Sequence, residues 1–175
     1  MKIQRLFVPV VAVLFFAACG GGANKSQTFA AADGSVTATV KKGEWKIVDA
    51  QGREPMEQYD SMRVIEVGVD GHPVTVAYFK GSEQLWLQYY STMQLRSRGL
   101  VKDGLREGRW VFYHPNGLVQ TECTFVNGLE DGSYRVFRDN GAPYYVGRYE
   151  KGRRVGTWEA YDQEGNLAGT QNYDE

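Results

Sequence analysis

The chain has 175 residues, which suits one domain or one repeat array, and its formal net charge is −1. Without Lys2 and Arg5, 18 basic and 21 acidic residues remain, and no basic patch large enough to bind nucleic acid is visible. Only two cysteines occur, which excludes a framework of several disulfides.

The first nineteen residues have the pattern of a secretory signal. Lys2 and Arg5 form a short basic start, and an apolar run over residues 6–16 follows. This run is too short to span a bilayer, so it predicts a signal peptide over residues 1–18 rather than an anchor helix. In the simplest alternative, an ordinary signal is cleaved near an Ala-x-Ala site and Cys19 has no role.

The stretch Phe16-Ala17-Ala18-Cys19 resembles a bacterial lipobox, in which the cysteine is lipidated and becomes the mature N-terminus. The resemblance implies lipidation of Cys19 with palmitate or similar acyl chains, and several chains on one cysteine anchor a protein stably. No acid follows Cys19 directly, which by the same resemblance favours the outer membrane. We therefore expect an outer membrane lipoprotein of the cell envelope, facing the periplasm or the surface, with the membrane as a partner.

The segment after Cys19 is predicted to have two parts. Residues 19–33 are rich in Gly, Ala and small polar residues, which predicts a flexible tether. Residues 34–80 predict an irregular N-terminal β region of degenerate repeats, in which residues 63–69 and 73–79 form a hairpin around Asp70-Gly71.

Residues 81–175 repeat with a period of 24 residues. Glycines and aromatic residues recur in columns: Gly108, Gly132 and Gly156; Trp110, Tyr134 and Trp158; Tyr113, Phe137 and Tyr161; Gly117, Gly141 and Gly165; Phe125, Tyr149 and Tyr173. A fixed period of this kind predicts supersecondary units that stack on their neighbours. One period earlier, Trp86 and Tyr89 keep their columns, but Gln84 and Met93 replace the glycines, which predicts different turns there.

Each unit predicts a β-hairpin. Residues 108–113 are aromatic and β-branched, and His114-Pro115-Asn116-Gly117 suits a type I turn closed by a glycine with positive φ. Residues 118–126 then alternate between apolar and polar side chains, as a strand with one buried face does. The predicted fold is all-β: an array of 24-residue antiparallel hairpins that forms one elongated sheet.

The G-x-W-x-x-Y-x-x-x-N/E-G units resemble MORN repeats (membrane occupation and recognition nexus), in the variant common in bacterial proteins labelled antitoxin-like. The resemblance covers residues 81–175 well and 43–80 weakly. It implies a hairpin array that acts as a scaffold. We discount the antitoxin role, because a secreted lipoprotein would not meet a cytoplasmic toxin.

The sequence predicts no catalytic set, no cofactor and no metal site. His72 and His114 have no Cys, Asp or Glu at recognisable ligand spacing, and no nucleotide-binding fingerprint occurs. Cys123 lies on the apolar side of a predicted strand, which favours a packed thiol over a nucleophile. Glu130 and Asp131 are interpreted as turn residues, because the aligned positions of the neighbouring units do not repeat an acidic pair. We therefore expect no enzyme.

Two binding functions remain open. The favoured one is a protein-interaction scaffold for an envelope protein, and the alternative is a glycan- or cell-wall-binding module that uses the same aromatic columns. Unpaired sheet edges also allow homo-oligomers. The candidate interaction aromatics are Trp110, Tyr113, Tyr134, Phe137, Trp158 and Tyr161.

Overall fold

A computed structural model describes residues 26–32, 34–53 and 58–174 of the chain. The predicted signal peptide, Cys19 and the first part of the predicted tether lie outside the described residues. Across the described ranges every regular element is a β-strand, which confirms the all-β prediction. No helix in those ranges has the length and apolar character to cross a membrane.

The strands of the described residues form two antiparallel sheets. One sheet has three strands in the order β1-β2-β3, and the other has ten strands, β4 to β13, paired in chain order as a meander. The strands are β1 (Gln27–Ala30), β2 (Val36–Lys41), β3 (Glu44–Asp49), β4 (Ser61–Val67), β5 (Pro73–Lys80), β6 (Glu83–Tyr89), β7 (Leu95–Lys102), β8 (Leu105–Tyr113), β9 (Val119–Val126), β10 (Leu129–Phe137), β11 (Pro143–Glu150), β12 (Arg153–Tyr161) and β13 (Leu167–Asn172).

Two segments differ from the predicted organisation. Strand β1 lies in the predicted tether, yet it pairs with β2, because the ring of Phe29 packs against that of Trp45 with centroids 6.2 Å apart. Strands β4 and β5 were assigned to the irregular N-terminal region, yet they are the first two strands of the ten-stranded sheet. Backbone pairing therefore continues without a break across residue 80.

The apolar side chains gather in two clusters. In the first, Ala38 and Ile47 of the three-stranded sheet pack against Val76 and Leu87 of β5 and β6, so two layers of strands enclose the core. We call β1–β6 the two-layer region. In the second, Val101, Trp110, Cys123 and Phe125 pack together along the ten-stranded sheet itself. We call β7–β13 the single-layer region.

The predicted hairpin turns are confirmed. In the first, the Gly117 amide donates to the His114 carbonyl over 2.9 Å, and Gly117 has a φ of +84°. The turns at Gly141 and Gly165 repeat this bond.

The prediction of a different turn at Met93 was wrong. The Met93 amide donates to the Tyr90 carbonyl over 2.9 Å, as in the glycine turns, and Met93 has a φ of +63°. A non-glycine residue in this region is strained by about 1–3 kcal/mol. The Met93 side chain is 1% exposed in the first core, and burying it contributes a similar amount in the opposite direction.

Candidate binding face

The first glycine of each repeat motif forms a β-bulge. On β8, Glu107 pairs with Leu100 and Val111 pairs with Arg98, so three residues of β8 lie opposite one residue of β7. Gly108 begins this bulge with a φ of +64°, a conformation that glycine adopts without steric penalty. Equivalent register shifts occur in β10 and β12. In β6 the pairing with the preceding strand, β5, runs through Gln84 without a shift, as expected for a position where glycine is missing.

The bulges of β8 and β12 each place a tryptophan ring directly on a glycine of the preceding strand. A Cβ atom added to Gly99 would lie 2.2 Å from Cδ2 of Trp110, and one added to Gly147 would lie 2.2 Å from Cδ2 of Trp158. No side chain fits beneath either indole ring. We call Gly99 and Gly147 the ring-contact glycines.

The indole N–H groups are satisfied at the same place. Nε1 of Trp110 donates to the Leu100 carbonyl over 3.0 Å, and Nε1 of Trp158 donates to the Arg148 carbonyl over 3.2 Å. The two rings are only 1% and 5% exposed. A buried N–H group without a hydrogen-bond partner destabilises the folded state, so these two indole hydrogen bonds help the tryptophans to be buried.

The unit between the two tryptophans follows the same rule with different residues. Tyr134 pairs with Cys123 at the position equivalent to a ring-contact glycine, so a smaller ring accompanies a small side chain. Burial raises the pKa of the Cys123 thiol to about 11, which suits a packed thiol. The ring of Tyr134 contacts those of Tyr149 and Trp158 with centroids 5.0 and 5.7 Å away. This relation was not predicted, although the column Gly99, Cys123, Gly147 and Gln171 is visible in the repeat.

An arginine lies over each of the two buried tryptophan rings. The guanidinium carbon of Arg106 is 4.6 Å from the ring centroid of Trp110, and that of Arg154 is 4.6 Å from the centroid of Trp158. Nη1 of Arg154 also donates to the Tyr173 hydroxyl over 2.9 Å. Hydrogen bonds to the hydroxyls of Tyr149 and Tyr173 raise the pKa of Arg154, so its charge is held on the aromatic surface.

The predicted interaction aromatics therefore lie in two environments. Trp110 and Trp158 are buried in the isolated chain, so truncating them would disturb folding before it could report on a contact. The other four, Tyr113, Tyr134, Phe137 and Tyr161, are partly buried. Their use in binding stays a prediction.

Hydrogen bonds link each hairpin turn to the next unit. The Tyr90 hydroxyl donates to the carbonyl of Tyr113 over 2.7 Å, and Nη2 of Arg138 donates to the carbonyl of Tyr161 over 2.8 Å. Between them, Nε2 of His114 lies 3.0 Å from the Phe137 carbonyl, a geometry in which the Nε2–H tautomer donates. His114 thus has a structural partner. Within the described ranges, no group of three or more His, Cys, Asp or Glu residues could hold a metal ion.

The exposed aromatic residues of this surface are two neighbouring tyrosines of β11. Tyr144 and Tyr145 are each 38% exposed, and their ring centroids are 4.1 Å apart. The guanidinium carbon of Arg138 lies 4.2 Å from the Tyr144 ring. A hydrogen bond with Tyr144 raises the pKa of Tyr145, while the charges of Arg154 and Arg138 oppose that rise.

Next to Tyr145, an open cleft of about 290 Å³ reaches the edge of the sheet. Tyr145, Arg154 and Trp158 lie on one side, and Gly169, Gln171 and Tyr173 lie on the other. We call Tyr144, Tyr145, Arg138 and this cleft the tyrosine site. The sequence offered one signal for it, the adjacent tyrosines, but their columns do not repeat elsewhere, and the repeat pattern gave no reason to select them.

Comparison with known families supports the repeat architecture. A family model described as a MORN repeat variant matches residues 106–127 and 154–175. The two matched segments begin at Arg106 and Arg154, the arginines that lie over the rings. MORN repeats commonly mediate protein or membrane interaction. A search of curated proteins finds no significant match to the chain.

Proposed function

We propose that this protein is a binding scaffold of the cell envelope, held at the outer membrane through lipid on Cys19 and acting without catalysis. The tyrosine site carries the proposal. Tyr and Arg are enriched where protein partners bind, because they offer large contact area together with hydrogen-bond donors. Here Tyr144 and Tyr145 are exposed, Arg138 lies over the Tyr144 ring, and Arg154 lines the same cleft as Tyr145. The partner that fits this surface and this location is another envelope protein.

The interaction is tested by capture from the organism's own cell envelopes, with the full-length lipidated protein as bait. The informative variant is Tyr144→Ala/Tyr145→Ala. The matched control is Ile65→Ala/Val67→Ala, which removes apolar side chains that are 40% and 50% exposed at the other end of the same sheet. All three baits are first shown to unfold at similar denaturant concentrations.

We expect one or two envelope proteins to be retained by the native bait and the control, and lost from the tyrosine variant. Equal capture by all three baits would remove the tyrosine site from the proposal. If none of the three baits retains an envelope protein, although each is verified to be folded and lipidated, the scaffold function itself is contradicted.

The anchor is tested separately by metabolic labelling with palmitate. We expect label on the native chain and none on Cys19→Ser, and we expect the Cys19→Ser protein to leave the membrane fraction. A native chain without label would favour the ordinary cleavable signal.

Glycan binding remains the second candidate, and the paired tyrosines are the observation that favours it. Two exposed rings 4.1 Å apart, with arginines beside them, can offer a stacking face and polar donors to a sugar. Sedimentation with purified peptidoglycan, lost on Tyr145→Ala, would support this function. A protein that stays in the supernatant with peptidoglycan and with envelope polysaccharide contradicts it.

A further inference from the structure

The two edges of the ten-stranded sheet are built differently. At one edge, β4 carries Arg63 and Glu66, and its pairing with β5 is interrupted by register shifts around Ile65. Charges and bulges of this kind discourage another strand from adding to an edge. At the other edge, β13 has the sequence LAGTQN, without charge or proline, and all of its six residues are exposed.

The free side of β13 is unpaired within the part of the chain that the structure describes. Its residues pair with β12, from Thr157 opposite Asn172 to Tyr161 opposite Leu167. No other described strand lies along the second side. The N–H and C=O groups that point to that side are available to an extended segment.

Side-chain sizes are complementary at one repeated position where β7 pairs with β8, β9 with β10, and β11 with β12. Ser97 lies opposite Phe112, Thr121 lies opposite Val136, and Tyr145 lies opposite Ala160. We call Ser97, Thr121 and Tyr145 the first column, and their partners the second. The smallest residue of the first column, Ser97, lies opposite the largest of the second, Phe112. The largest residue of the first column, Tyr145, lies opposite the smallest of the second, Ala160.

Gly169 is the next member of the first column and has no partner of this kind among the described residues. An added Cβ atom would meet nothing within 4 Å. By the size rule of the other pairs, the residue opposite Gly169 would be large. The cleft of about 290 Å³ lies at this place, between Gly169 and Trp158, and leaves room for one aromatic side chain.

We propose that β13 is the docking edge of the scaffold, where an extended segment of a partner protein adds antiparallel to the sheet and places an aromatic side chain in the cleft opposite Gly169. The inference rests on the proposed protein-binding function and specifies the chemistry of the partner. Main-chain hydrogen bonds to β13 supply affinity, and the cleft supplies selectivity for the aromatic residue.

The chain itself provides the probe. Strand β8 adds to β7 with Phe112 opposite Ser97, the position equivalent to Gly169. A fluorescently labelled peptide of residues 105–113, added to the full-length protein, should therefore bind β13 with Phe112 in the cleft. We expect saturable binding in fluorescence anisotropy, and at least tenfold weaker binding of the same peptide with Phe112→Ala.

The protein variant Gly169→Phe fills the cleft from within, where the structure has open space. We expect at least tenfold weaker peptide binding to it. Ala168→Phe is the matched control, since Ala168 is an exposed neighbour that does not line the cleft, and it should bind as the native protein does. The Phe112→Ala peptide keeps the test valid if Gly169→Phe is poorly folded, because it leaves the protein unchanged.

Four results would overturn the inference. The first is no saturable binding, and the second is equal binding of the native and Phe112→Ala peptides. The third is a native dimer in sedimentation that Gly169→Phe dissociates, since the occupant of β13 would then be a second copy. Capture of envelope proteins that persists with Gly169→Phe also overturns it, while leaving the scaffold function intact.

Discussion

The two-layer region and the single-layer region bury apolar side chains by different means. In the first, Ile47 and Val76 lie between two sheets, so each side chain is covered by a second layer of backbone. In the second, Trp110 is equally buried on a single sheet, because a glycine lies beneath its ring, Phe125 borders it and Arg106 covers it. A row of large rings, each in contact with the next, can therefore replace a second layer.

Trp86 marks the border between the two regions and shows what the ring arrangement requires. It belongs to the tryptophan column, but the pairing of β6 with β5 has no bulge before it. Its indole N–H donates to the side chain of Gln84 over 2.9 Å rather than to a backbone carbonyl, and the residue is only partly buried. Full burial of a tryptophan in this column thus accompanies the bulge glycine, which Gln84 replaces.

The largest expected effects come from removing the central side chain of each region. Trp110→Ala should lower the free energy of unfolding by about 4 kcal/mol and Ile47→Ala by about 3 kcal/mol, from lost burial and the cavities left behind. Urea unfolding measures the loss of unfolding free energy for each variant, and native-state hydrogen exchange shows which strands are destabilised. Trp110→Ala should increase exchange mainly in β7–β9, and Ile47→Ala mainly in β2 and β3. Identical exchange patterns for the two variants would show that the regions do not differ as described.

The next effect tests the ring-contact glycines. Gly147→Ala should lower the free energy of unfolding by about 3 kcal/mol, because the new methyl group overlaps the Trp158 ring and displaces it. Gly169→Ala is the matched control on β13. It meets no neighbour and should stabilise by about 0.5 kcal/mol, since alanine loses less backbone entropy in a strand.

The same site allows a rescue experiment. Tyr134 opposite Cys123 shows that a smaller ring tolerates a side chain beneath it. Gly147→Ala/Trp158→Tyr should therefore recover about 1 kcal/mol relative to Gly147→Ala in a double-mutant cycle. If the two substitutions lower the free energy of unfolding additively, residue 147 and the ring at position 158 do not interact.

A smaller effect concerns the junction of the two regions, where the Tyr90 hydroxyl donates to the Tyr113 carbonyl. Tyr90→Phe should reduce the free energy of unfolding by about 1 kcal/mol, the usual contribution of one such bond. Tyr113→Phe is the control, because its hydroxyl has no hydrogen-bond partner among the described residues, and its change should be near zero. Equal changes in the two variants would mean that the bond does not join the regions.

The last prediction is a pH dependence within the single-layer region, which appears only above pH 9. Because burial raises the pKa of Cys123 from 9.0 to about 11, the folded state keeps the thiol proton where the unfolded state loses it. This contribution to stability is complete below pH 9 and is lost as the pH rises to about 11. The difference in unfolding free energy between the native protein and Cys123→Ala should shrink across that window. A constant difference would contradict the raised pKa.

Local features of the fold could be predicted from the sequence, and non-local contacts could not. The turn at Gly117 followed from proline and glycine chemistry, and the 24-residue period gave the hairpin array. The same reasoning failed at Met93, because burial in the first core outweighs the local preference against positive φ. The tyrosine site also escaped prediction, since Arg138 and Arg154 come from different units and meet the two tyrosines only in the folded sheet.

The amino-acid sequence by itself determined that this protein is an all-β repeat array, because alternation, turn residues and a fixed period act over a few neighbouring residues. Tertiary structure alone decided which rings are core and which are surface. Trp158 and Tyr145 are both aromatic repeat-region residues, yet Trp158 lies on a glycine of the neighbouring strand and is 5% exposed, whereas Tyr145 is 38% exposed. That difference depends on the strand register set by the bulges, and register joins residues that are distant in the chain.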